Sequence, residues 1–192
     1  RDMSCVRSVF SLLLTTAFLL TGHGLHMTFL PLMASEIGLS QTVIGLSGSA
    51  YFVGFISGAL VVPHIIAKVG HIRSFTTLMA VFLCCFQVLH MTDESWVWIA
   101  TRFLLGSVMC GAYTVVESWL SDQADSRSHG RVLGIYTLVV LAAMAAGQGI
   151  LGLAYGDPAQ VFAVISILIG CAIIPVSLTS SLAPAPVPAT RI

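Results

Sequence analysis

Charge is what this sequence has least of. Only 8% of its residues are Asp, Glu, Lys or Arg, against 57% that are hydrophobic, whereas a soluble domain carries about 25% charged residues. A globular surface for 192 residues cannot be kept in water on so few charges. Lipid must therefore be the solvent for most side chains, and a mean hydropathy of +0.97 agrees. Net charge is zero, with no basic or acidic block, so nothing points to nucleic acid. The five cysteines (Cys5, Cys84, Cys85, Cys110 and Cys171) show no C-x-x-C spacing; most lie in apolar runs and read as small packing residues rather than metal ligands. A phosphate-binding G-x-x-x-x-G-K loop is also missing, which leaves ionic rather than nucleotide-driven energy coupling as the expectation. No cofactor, metal or catalytic residue is expected, and no enzymatic reaction.

What the sequence does have is long apolar runs. A membrane span needs about 20 mostly apolar residues, and six runs qualify: 8–32, 42–67, 74–91, 95–119, 132–155 and 159–177. They are too long for the strands of a closed barrel and do not alternate. The first run continues through Pro31 without a convincing cleavage site, so it reads as a span rather than a signal peptide. The predicted fold class is all-α: a polytopic domain over 1–178 with short connections, followed at 179–192 by a tail. Pro184, Pro186 and Pro188 make that tail an extended linker. The chain opens with Arg1 rather than Met and is expected to be part of a longer one.

The basic residues give the orientation, because Lys and Arg collect in cytoplasmic loops. With six spans, Arg1, Arg7, Lys68, Arg73, Arg127, Arg131 and Arg191 fall on one side, and Glu36, Asp93, Glu94 and Asp157 on the other. Both termini are predicted to be cytoplasmic. Small residues at spacing four mark close helix contacts. They are Ala50, Gly54 and Gly58 in the second helix, and Ala142 with Ala146 and Ala145 with Gly149 in the fifth. Trp96 and Trp98 read as outer-interface aromatics and Trp119 as an inner one.

Several motifs, in order along the chain, carry a resemblance. The segment Pro63-His64-Ile65-Ile66-Ala67-Lys68-Val69-Gly70-His71-Ile72-Arg73 is similar to the major facilitator superfamily loop G-x-x-x-D-R-x-G-R-R/K. Pro63 stands in place of the first Gly and Ala67 in place of the Asp. Arg102-Phe103-Leu104-Leu105-Gly106 resembles the family's R-x-x-x-G motif, and His129-Gly130-Arg131-Val132-Leu133-Gly134 resembles its entry to the fifth helix. With Glu117-Ser118 and Gly147-Gln148, the set looks most like the small YcaD-like bacterial branch. The resemblance implies two inverted three-helix repeats forming the N-terminal half of a twelve-helix transporter. It also implies a second six-helix half, supplied by the missing C-terminal part or by a second chain, and a location in the bacterial inner (plasma) membrane. Lys68, Gly70 and Arg73 would form its cytoplasmic gating loop.

Ionisable groups within spans are costly and are functional candidates by default. Arg102 lies roughly 10 Å below the outer surface at 1.5 Å per residue; the bland alternative is that it snorkels to the interface. Gly106, Met109, Tyr113 and Glu117 share its helix face. His23 and His26 in helix 1 and Gln148 in helix 5 are expected at the depth of Arg102, so that Arg102, His23 or His26, and Gln148 would form a polar cluster. These residues, with Tyr113 and Glu117, are the candidate solute or proton pathway. His64 and His71 are expected to be solvated, and Glu117 has an alternative as a helix-end charge. The function that follows is secondary transport of an unidentified small solute by alternating access, with protons as a candidate coupling ion. Two alternatives stand beside it. One is a non-transporting membrane receptor or scaffold. The other is a rhomboid-like intramembrane serine protease, suggested by Gly45-Leu46-Ser47-Gly48 and requiring a histidine such as His90 as base.

Reporter fusions test the topology. Fusions after Ile192 and within residues 120–131 should both report cytoplasm, and one at Asp93 the opposite side. An external signal from residues 120–131 is incompatible with six spans.

Overall fold

The computed structural model describes residues 2–123, 129–154 and 156–179. Tyr155, Arg127, the Pro-rich tail with Arg191, and Arg1 lie outside the described residues, as do the side chains of Cys5 and Arg7. Among the described residues all regular structure is helical. The helices are α1 (Asp2–Glu36), α2 (Gln41–Val69), α3 (His71–Met91), α4 (Ser95–Gln123), α5 (His129–Ala154) and α6 (Pro158–Ser177). All six are long and apolar enough to cross a membrane. All six extend past the sequence estimate at one or both ends, because polar first and last turns continue a helix outside the hydrocarbon.

The helix ends follow local chemistry. The Ser40 hydroxyl accepts the Val43 N–H at 3.3 Å, and an Asp157 carboxylate oxygen accepts the Ala159 N–H at 3.0 Å ahead of Pro158. Between α2 and α3 the chain turns on Gly70, whose φ of 84° a side chain would resist; its N–H donates to the Ile66 carbonyl at 2.8 Å. Hydroxyls inside the spans satisfy themselves one turn back. Thr16 donates to the Leu12 carbonyl, Thr114 to that of Cys110 and Ser166 to that of Phe162, so no hydroxyl of these three is left bare in hydrocarbon.

The packing follows a repeat. α1 packs on α5 and α6, whereas α4 packs on α2 and α3; α3 also meets α6, and α1 meets α4. Exchanging α1 with α4, α2 with α5 and α3 with α6 leaves this pattern unchanged, as two inverted three-helix repeats require. The register is preserved down to the residue. A Cβ on Gly54 (α2) would strike the Phe103 carbonyl of α4, and one on Gly106 (α4) the Tyr51 carbonyl of α2. In the second pair, a Cβ on Gly147 (α5) would strike the Thr21 carbonyl of α1, and one on Gly24 (α1) the Met144 carbonyl of α5. The steps Thr21–Gly24 and Phe103–Gly106 match, as do Tyr51–Gly54 and Met144–Gly147. The α2–α4 seam is further tied by Ser107, which donates to the Gly54 carbonyl at 2.8 Å and shares a hydrogen bond with Ser57 at 3.0 Å. On the other side of the bundle, Thr15 of α1 donates to the Ala172 carbonyl of α6 at 3.1 Å.

Two expectations are corrected here. In α5 the contact face is Tyr136, Ala143, Gly147 and Leu151, all buried, while Ala142, Ala145, Ala146 and Gly149 are exposed. The small stripe faces outward, away from the other described helices. Trp98 and Trp119 are core residues rather than interface anchors. Trp98 is 1% exposed and donates its indole N–H to the Thr92 carbonyl at 2.8 Å; only Trp96 is exposed. An indole with an internal acceptor has no need of the headgroup region.

Gly106→Ala should push α2 from α4, at a cost of about 1–3 kcal/mol by overpacking. Gly149→Ala, whose Cβ meets nothing, should leave stability unchanged. Thermal unfolding in detergent checks the pair; equal melting temperatures would contradict the seam.

Candidate functional site

The site begins with the glycine seams. Because Gly106 brings α2 against α4, the Tyr51 ring lies over the Arg102 guanidinium, its Cζ 4.9 Å from the ring centroid. Because Gly24 faces α5, His26, two residues on at ~100° per residue, falls on the far side of α1 and His23 on its flank, and both are turned into the core. Arg102 is 4% exposed, His23 5% and His26 fully buried. Arg102 therefore does not snorkel.

The hydrogen bonds fix a tautomer. His26 Nδ1 lies 3.1 Å from the His23 carbonyl. A carbonyl only accepts, so Nδ1 carries the proton, and Nε2 of the neutral ring offers a lone pair. That lone pair lies 3.4 Å from Arg102 Nη1. Aromatic rings complete the cluster. The two histidine rings are 5.2 Å apart, with Tyr51 6.2 Å from His23 and 6.1 Å from His26. Tyr113 meets His23 edge-on at 6.2 Å, and Phe82 of α3 meets His26 edge-on at 5.5 Å.

No carboxylate of a described residue pairs with this guanidinium; its partners are His26 and the Tyr51 ring. Desolvating an ion costs several kcal/mol. A charged hydrogen bond recovers about 1.5–3 kcal/mol and a desolvated cation–π contact about 2 kcal/mol. The pair of contacts is thus of the right size to hold the cation but not to neutralise it. Two further polar atoms, His23 Nδ1 and the Tyr51 hydroxyl, are buried without a hydrogen-bond partner.

The other candidates are distributed along the bundle. Tyr113 is half-buried. Glu117, one turn further on, is exposed and accepts a hydrogen bond from the Tyr136 hydroxyl of α5 at 3.0 Å. Gly106 and Met109, on the same helix face as Arg102, are buried, so that face runs from the core to the surface. Gln148 is exposed and is not among the cluster's partners, because its neighbour Gly147 is the residue facing α1. Lys68 and Arg73 are exposed on either side of the Gly70 turn. His64 is exposed, as expected, but His71 is 5% exposed and its Nε2 lies 3.1 Å from the Ser118 hydroxyl. The Gly70 turn starts α3 directly against α4, which removes His71 from solvent. Ser47 donates to the Ile44 carbonyl at 2.8 Å on its own helix, and His90 stacks on Phe162 at 4.4 Å.

Sequence reasoning missed Tyr51 and Tyr136. Tyr51 was within reach, since it shares the α2 face of Gly54 and Gly58, three and seven residues on. Tyr136 had no comparable signal.

A bundle of six spanning helices around a sequestered polar cluster defines a multi-pass membrane protein. The Major Facilitator Superfamily profile matches residues 12–191, and the chain belongs to that family. Among its curated relatives is "Uncharacterized MFS-type transporter YcaD" of Escherichia coli O139:H28 (strain E24377A / ETEC). The identity is 31% over 121 residues, covering 63% of this chain and 32% of the relative. The protein of the same description from Escherichia coli (strain K12 / DH10B) matches equally. The chain thus covers about a third of the length of these relatives.

Tyr51→Phe removes only an unpartnered hydroxyl and should leave the melting temperature unchanged. Tyr51→Leu removes the ring beneath Arg102 and should cost about 2 kcal/mol. A Phe variant as unstable as the Leu variant would show that the ring is not the support.

Proposed function

We propose that this chain is the N-terminal six-helix half of a secondary transporter for a small solute, working by alternating access against a second six-helix half. The carrying observation is the Arg102–His26 contact, which joins the repeat-related helices α4 and α1 inside the core. In the neutral state His26 Nε2 accepts from Arg102. A proton on Nε2 removes that acceptor and sets two cations side by side, so the contact must open. Proton arrival is thereby converted into a force between α1 and α4, the kind of local charge event that biases a two-state element. The His23–Tyr113 contact leads from this pair toward the exposed Glu117, which supports these residues as the path of a proton.

The second half has surfaces to meet. α2 and α5 are the least buried helices, and the exposed small face Ala142, Ala145 and Gly149 suits close helix approach. Lys68, Gly70 and Arg73 form the gating loop on the cytoplasmic side, with both termini on that side of a bacterial inner membrane. The naming of its relatives as MFS-type transporters supports the same activity here.

The test uses the complete transporter in liposomes with an imposed proton gradient, accumulated solutes being read by mass spectrometry. Arg102→Ala, Arg102→Lys and His26→Ala should insert and fold yet lose uptake by about tenfold or more, with Lys retaining at most a part because it lacks the planar fork. Normal accumulation by well-expressed Arg102→Ala and Arg102→Lys would remove Arg102 from the mechanism.

A further inference from the structure

We propose that Arg102, Tyr51 and His23 form a binding site for a small anionic group; this rests on the reading of the cluster as part of the transport machinery and names what it recognises. Three observations converge on it.

The first is an uncompensated charge. Arg102 is 4% exposed and remains a cation at any physiological pH. Among the described residues its partners are an imidazole lone pair and an aromatic face, neither of which carries a negative charge. One hydrogen bond uses one of the five guanidinium donors.

The second observation is independent of the arginine. The Tyr51 hydroxyl and His23 Nδ1 are buried without partners, on rings stacked 6.2 Å apart with planes 24° from parallel. Buried polar atoms are nearly always hydrogen-bonded in a folded protein, and an exception calls for an absent water, ion or ligand. The phenol can donate, and so can Nδ1 in one tautomer.

The third is the surrounding chemistry. The titratable and charged groups at the cluster are His23 and His26 from α1, Tyr51 from α2, and Arg102, Tyr113 and Cys110 from α4; α3 presents Phe82 and Phe86. Donors and positive charge are present, and among the described residues the nearest carboxylate on α4 is Glu117, one turn beyond Tyr113 and hydrogen-bonded to Tyr136 rather than to Arg102. A cationic solute would meet repulsion, whereas an anion would supply the counter-charge that Arg102 lacks and an acceptor for the two unpartnered groups. Phe82 and Phe86, both fully buried, close the α3 side, which favours a single carboxylate or a halide over a bulky phosphate ester. The carboxylate of a transported solute and a free halide share this chemistry.

Equilibrium dialysis of the purified complete transporter against radiolabelled chloride, and separately against radiolabelled propionate, tests the site. The expected result is saturable binding of one of them. Arg102→Gln should weaken it by about tenfold or more, the loss of a charged hydrogen bond, and Tyr51→Phe by less, since the ring stays beneath Arg102. Chloride binding without propionate binding supports a free-halide site. Propionate binding accompanied by its accumulation in proteoliposomes supports recognition of the solute's own carboxylate. No saturable binding of either ion, or binding unchanged in both variants, overturns the proposal. If Arg102→Gln does not fold, Tyr51→Phe decides alone. Anion binding lost in Arg102→Gln with solute transport intact would keep the anion site and withdraw the transport role from it.

Discussion

The rest of this structure depends on the contact between a glycine on one helix and a backbone carbonyl on another, made twice in matching register. In lipid there is no hydrophobic force to press helices together, so association relies on close packing and hydrogen bonds. Gly54 and Gly106 let α2 and α4 approach backbone to backbone, and Gly24 and Gly147 do the same for α1 and α5. These seams are the strongest statement of the internal repeat, because they match residue for residue. They also set the rotation of each helix about its axis. Once Gly24 faces α5 and Gly106 faces α2, His23 and His26 are turned inward and Arg102 meets Tyr51.

The polar cluster is therefore a by-product of rotation fixed by packing, and its energetics differ from those of a surface ion pair. A guanidinium with no paired carboxylate is held by an aromatic face and one imidazole lone pair. These contacts offset much of the desolvation cost without cancelling the charge. Such a site is stable yet responsive: a proton on His26 Nε2 would remove the lone pair that Arg102 donates to and set two cations side by side. A conventional carboxylate partner would have bound the arginine more firmly and left less room for a change of state.

The outer surface complements this core. α1 and α4 are the most buried helices and α2 and α5 the least. The central pair holds the polar groups, and the peripheral pair presents small residues on α5 and large apolar ones on α2, such as Phe52 and Ile56. In the reading proposed above, these exposed faces are where a second six-helix bundle would sit.

Much of the fold was legible in the sequence. The six spans followed from run length and the scarcity of charge, because hydrocarbon thickness fixes how many apolar residues a crossing needs. Arg102, His23 and His26 stood out because an ionisable side chain in a span is costly wherever it lies. What remained unread was direction. Sequence spacing marked the small stripe on α5 but not that it faces outward, and it put Gln148 with the polar cluster although that side chain is exposed. It left His71, Trp98 and Trp119 at the boundary, although each is buried by a neighbouring helix. The missing partners, Tyr51 and Tyr136, lie on different helices from the groups they touch. The sequence by itself determined the number of spans and which ionisable groups lie within them, since both are set by the solvent that each residue must meet. Only the tertiary structure decided which groups meet one another, because helix rotation is set by contacts between distant segments and leaves no periodic trace in either one.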